Sequence, residues 1–108
     1  MSDIFVMVRN QSNVAMTSVD GIAFITLLSR DGRILAEETV ALMEADAGFD
    51  DLAAGQYTVI VRHELVEPRS AMWDVTIGNQ DEVIILTFVY LEPERVLLRV
   101  LTTVEERL

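Results

Sequence analysis

Cysteine and lysine are both absent from this 108-residue chain. Lack of cysteine removes any disulfide staple, thiolate metal ligand or thiol nucleophile. All eight basic residues are arginine, and they face 18 acidic ones, for a formal charge of -10. Such a surface repels phosphate backbones and anionic lipid headgroups, so no nucleic acid and no membrane is expected as a partner. Aromatic residues make up 6 % of the chain, with one tryptophan, which leaves few platforms for stacking a sugar or a base. No window approaches the ~18 consecutive apolar residues of a membrane span. The opening Met1–Arg9 has no basic leader and only a five-residue apolar stretch, so a signal peptide is not expected and a cytoplasmic location is.

What is present is hydrophobic and alternating. Apolar residues are 51 % of the chain and the mean hydropathy is +0.33, against disorder and in favour of one domain over 1–108 with a single core. Strand patterns fall at Ile4–Arg9, Ile22–Ser29, Ile34–Leu42, Gln56–His63, Ala71–Ile77, Val83–Leu91 and Val96–Val104. Between them lie the polar Asn10–Asn13, the turn Arg30–Arg33 and the turn Gly78–Asp81. Asp31 and Gly32 suit the two positive φ values of a type I′ hairpin. The tail 94–108 reads in two ways. Leu97, Val100, Leu101, Val104 and Leu108 would share a helical face, whereas its Val and Thr content and the short Glu92–Glu94 connection favour a strand.

The run Phe49–Val61 is the most specific stretch. An acidic turn, Leu52, a small corner of Ala53, Ala54 and Gly55, and then an alternating strand follow one another directly. Gly55 can take a positive φ at a tight corner without a Cβ clash. Tyr57, Val59 and Val61 then share the core face, and the Tyr57 hydroxyl can reach a backbone partner. This run, with the hairpin Gly21–Arg33 before it, resembles the signature of the prealbumin-like superfamily, in particular carboxypeptidase regulatory-like and collagen-adhesin B-type domains. The resemblance implies a seven-stranded antiparallel Greek-key β-sandwich. It does not fix a function, because that fold serves many roles. The isopeptide crosslink of the adhesin branch needs a lysine, which this chain lacks. The hydroxyisourate hydrolases of the same superfold use several histidines and a C-terminal Tyr-Arg-Gly-Ser, neither of which is found here.

Candidate chemistry is sparse. His63, the only histidine, falls at the end of a strand and is expected half-exposed at the rim. Trp73 shares parity with Val75 and Ile77 and is expected in the core. Asp46, Asp50 and Asp51, with Glu44, form an acidic segment 44–51 that offers weak calcium ligands. It lacks the Asp-x-Asp-x-Asp-Gly spacing, and a calcium ion gathers 6 to 8 oxygens. There is no nucleophile elbow and no paired-carboxylate cleft, so neither an enzyme nor a cofactor is expected.

Two strands are apolar on both parities, Ile4–Val8 and Val83–Leu91, and need cover on both faces, either from loops or a helix of the same chain over a central position or from another chain. Phe88 and Tyr90, joined by Leu97 and Leu101, are the candidate interface of a symmetric homodimer or a contact for another protein. The expected function is a non-enzymatic interaction module that self-associates. A small-molecule or calcium-binding domain built on segment 44–51 is the alternative.

Overall fold

The computed structural model describes residues 1–18, 20–42, 46–79 and 81–106. Eight strands follow one another: β1 (Ser2–Asn10), β2 (Ile22–Ser29), β3 (Ile34–Ala41), β4 (Asp46–Leu52), β5 (Gly55–Arg62), β6 (Ser70–Ile77), β7 (Glu82–Leu91) and β8 (Val96–Glu106). They form two four-stranded sheets. The first has the order β4-β1-β7-β8 and the second β3-β2-β5-β6.

The inner faces follow from parity. Ile4, Val6 and Val8 of β1, Phe49 of β4, and Ile84, Leu86, Phe88 and Tyr90 of β7 meet Ile25 and Leu27 of β2, Val59 and Val61 of β5, and Val75 and Ile77 of β6. Each such side chain contributes roughly 1.5–3 kcal/mol when it leaves water. Met16, Leu42 and Val66, from the connections, join the same core.

All seven expected strands form, and β4 is an eighth. Asp50 and Asp51, expected in a turn, belong to this strand, whose acids Asp46, Asp50 and Asp51 disguise an alternation in which Ala47 and Phe49 are buried. Along β4 the register slips by one residue against β1, between the pairs Ile4 with Phe49 and Ser2 with Leu52. Asp51 sits in that bulge at φ 58°. A second correction concerns direction, since β1 and β7 pair in parallel from Asp3 with Val83 to Asn10 with Tyr90. Strand direction depends on where the chain crosses between sheets, which side-chain alternation does not encode. The segment 96–106 is a strand, hydrogen-bonded to β7.

At the β2–β3 turn only Gly32 is left-handed, at φ 83°, rather than Asp31 and Gly32 together. The Gly32 N–H donates to the Ser29 carbonyl at 3.0 Å, and the Ser29 N–H to the Arg33 carbonyl at 2.8 Å, closing a three-residue loop. The corner between β4 and β5 forms as expected, with Gly55 at φ 149°. The Tyr57 hydroxyl donates to the Ala53 carbonyl at 2.7 Å, tying the strand back to the corner that precedes it.

Candidate functional site

The outer face of the first sheet is built in cross-strand rows. Gly48, Phe5, Ile85 and Thr103 form one row, and Asp46, Met7, Thr87 and Leu101 the next. Beyond them, at one end, Arg9, Val89 and Arg99 align; at the other, Asp3, Val83 and Glu105 do. The face therefore has the apolar Phe5, Met7, Ile85 and Leu101 at its centre, beside Thr87 and Thr103 and bordered by Asp46, with an arginine end and an acidic end. Phe5 and Leu101 are 40 % and 49 % exposed at its middle. Gly48 makes room for Phe5, whose ring lies 3.0 Å from where a Cβ at Gly48 would stand. At the arginine end, the Arg9 guanidinium donates to Asp46 at 2.8 Å.

One of the two edges of this sheet is β8, at 11 residues the longest of the described strands, and its start is covered by Glu67, whose carbonyl accepts the Leu97 N–H at 2.7 Å. Val96, Leu98, Leu101 and Val104 along it are all exposed. Edge strands of this length with no proline or lysine are prone to pair with another chain.

A second feature lies at the end of the other sheet, where β2 begins and β5 ends. A cleft of about 620 Å³ is lined by Asp20, Gly21, Ile22, Phe24, Arg62, His63, Glu64, Leu65 and Arg69. Phe24 and Arg62 are direct cross-strand partners, and the guanidinium stacks 4.7 Å above the ring centroid. The His63 N–H donates to the Arg69 carbonyl at 2.9 Å, which closes the loop 63–69 and brings Arg69 alongside. Val66 anchors that loop in the core. His63 Nδ1 accepts the Leu65 N–H at 3.0 Å, so the neutral ring carries its proton on Nε2. That Nε2 is 3.1 Å from where a Cβ at Gly21 would be, and Gly21 is at φ 112°.

These positions correct several expectations. His63 is 4 % exposed, not half-exposed, because Gly21 and the loop 63–69 close over the strand end. Trp73 has core parity, opposite Val59, yet is 40 % exposed because β6 is an edge strand. Phe88 and Tyr90 are fully buried inside the chain and offer no surface, because their parity is the inner one. Leu97 is half-buried against the core, and Leu101 alone of the four interface candidates stands on the surface.

The acidic candidates do not converge. Asp46 is engaged by Arg9 at one end of β4, and Asp50 and Asp51 are at the other. Glu44 lies outside the described residues. Among the described residues no three His, Cys, Asp or Glu side chains come together as a metal site. The cleft was missed, although the sequence carried a signal: two arginines and the only histidine fall within Arg62–Arg69 of an acidic chain.

No protein family, curated protein or solved structure matches the chain.

Proposed function

We propose that this chain is a non-enzymatic β-sandwich interaction module that binds a second copy of itself through the outer face and β8 edge of its first sheet. One observation carries the proposal: the polarised apolar face centred on Phe5, Ile85 and Leu101. Arg99 and Glu105 lie on that face of β8, on either side of Leu101 and Thr103. A two-fold axis through the centre sets the Arg99 end of one copy against the Glu105 end of the other, and apolar centre against apolar centre. This is the arrangement of an apolar core with a charged rim. It replaces Phe88 and Tyr90 as contacts and keeps Leu101.

The proposal extends to prealbumin-like membership. The Phe49–Val61 pattern, the positive φ of Gly55, the Tyr57 tie to Ala53 and two four-stranded sheets support it. Among the described residues no helix is long and apolar enough to cross a membrane. A cytoplasmic location belongs to the proposal.

Light scattering on a size-exclusion column tests the assembly. A mass of two chains is expected at tens of micromolar, with roughly 1,200 Å² or more buried in total. Leu101→Glu should give single chains, and Arg99→Glu should weaken the dimer while Arg99→Glu with Glu105→Arg restores it. Because each copy carries -10, raising the salt should tighten association by screening the overall repulsion. A single-chain mass at all concentrations and salts would sink the dimer.

A further inference from the structure

We propose that the cleft between the start of β2 and the end of β5 is a binding site for a small organic monoanion, a carboxylate carried on an apolar body. The site is distinct from the self-association face, which belongs to the other sheet.

The donors come first. Among the described residues, neither Arg62 nor Arg69 has an ion-pair partner, whereas Arg9 is held by Asp46. Arg62 uses its flat π surface on Phe24, and stacking of that kind leaves the in-plane N–H groups available. That edge is the one a carboxylate takes with two parallel hydrogen bonds. His63 adds a protonated Nε2 fixed by the Leu65 N–H, since the ring cannot turn without giving up that bond. Gly21 has no side chain to fill the space beside that nitrogen.

The apolar part of the cleft selects the rest of the ligand. Ile22 and Leu65 are 57 % and 54 % exposed on the cleft, large side chains with little cover from the protein itself. With Phe24 they offer a surface that a ring or short alkyl chain would remove from water. The volume of about 620 Å³ is in the usual range for small-molecule sites. Charge limits the ligand from the other direction. Asp20 and Glu64 line the same cleft and oppose a second negative charge, which disfavours phosphate and dicarboxylates relative to a monocarboxylate.

The test is an amide-resolved NMR titration of the whole protein with 4-phenylbutyrate, its neutral amide 4-phenylbutyramide, and inorganic phosphate. With 4-phenylbutyrate, saturable shifts are expected at Gly21, Phe24, His63, Leu65 and Arg69, with a Kd on the order of 1 mM or tighter, as suits a ligand of about a dozen atoms. The amide should bind about tenfold more weakly, as should the carboxylate to Arg62→Gln or Arg69→Gln, because the charge-assisted pair is lost. Both arginines are exposed, so Arg69→Gln should melt as the parent does, and Arg62→Gln should melt slightly lower for the loss of its stacking on Phe24, with the fold kept. Equal affinity for acid and amide would overturn the proposal. So would shifts centred on Phe5, Ile85 and Leu101, or phosphate binding as tightly as the carboxylate. Dissociation of the dimer leaves these readouts unchanged, so the two proposals fail separately.

Discussion

The carboxylate of Glu92 accepts the backbone N–H of Ser18 at 2.7 Å, across 74 residues of sequence. It also accepts the Thr17 N–H at 3.0 Å and the Asn10 side-chain amide at 3.0 Å. The main chain of Glu92 completes the link, its N–H donating to Gln11 Oε1 and its carbonyl accepting from Gln11 Nε2, both at 2.9 Å. The loop after β1 is thereby tied to the β7–β8 turn. Desolvation raises the Glu92 pKa, but the hydrogen bonds from Ser18, Asn10 and Thr17 outweigh it and hold the carboxyl at about 2, against an ordinary 4.5.

A pH-dependent contribution follows from that depressed value. As pH falls, the unfolded chain takes up the proton near 4.5 and the folded chain only near 2. The stabilisation is complete above the first value and is lost as pH falls through the second. Glu92→Gln should cost roughly 1–2 kcal/mol at neutral pH, the lower part of the range for charged hydrogen bonds because the site is open to solvent. In urea melts the gap between parent and variant should narrow steadily below pH 4. A gap that is constant with pH would show that the charge is not what holds the loop.

The corner at Gly55 should fail through its backbone alone. A Cβ there meets nothing within 4 Å, so crowding contributes nothing to the effect of Gly55→Ala. The φ of 149° remains, and an alanine forced into it should cost about 1 kcal/mol. Tyr57→Phe, which removes the hydrogen bond to Ala53 and keeps the ring, should cost a similar amount, about 0.5–1.5 kcal/mol. Thermal melts of the two variants and their combination check both, and an unchanged melt for Gly55→Ala would remove the strained corner.

Trp73 should report an edge rather than a core. At 40 % exposure its fluorescence should be partly quenched by iodide in the folded protein. Trp73→Ala should cost about 1–2 kcal/mol, well below the ~3–5 kcal/mol of a fully buried aromatic. A fully protected indole, or a loss in the larger range, would place it inside the sandwich.

The strands were legible because each side-chain pattern has a period of two, and that period is local. Val59 and Val61, or Ile84, Leu86 and Phe88, announce their face to their own neighbours. Position in a sheet is not local. Trp73 and Val75 have the same parity and the same apolar character, yet one is exposed and the other buried because β6 has a neighbour on one side only. In β7 both parities are apolar, so the pattern does not distinguish the face of Phe88 and Tyr90 from that of Ile85 and Val89, and packing against the second sheet puts Phe88 and Tyr90 inside. In β4 the acids on the outer face and in the bulge masked two buried residues. The cleft needed the pairing of Phe24 with Arg62, a contact between residues 38 positions apart that no local pattern supplies.

Tyr90 carries the last expectation. Its ring is fully buried in the core, and its hydroxyl has no hydrogen-bond partner among the described residues. Burial pushes its pKa up to about 12, from an ordinary 10. A buried hydroxyl without a partner costs about 1–3 kcal/mol, so deleting the oxygen should help rather than harm. Tyr90→Phe is therefore expected to raise the stability by about 1 kcal/mol near neutral pH, less than the full penalty because the small space left by the oxygen loses some contacts. The alkaline behaviour has a definite sign. The neutral phenol is favoured in the folded state, so the parent keeps full stability below pH 10 and loses the Tyr90 part as pH rises through 12. The variant has no such group, and its advantage should widen over that interval. A destabilised Tyr90→Phe would mean that the hydroxyl is satisfied by a bound water and that the core is built around it.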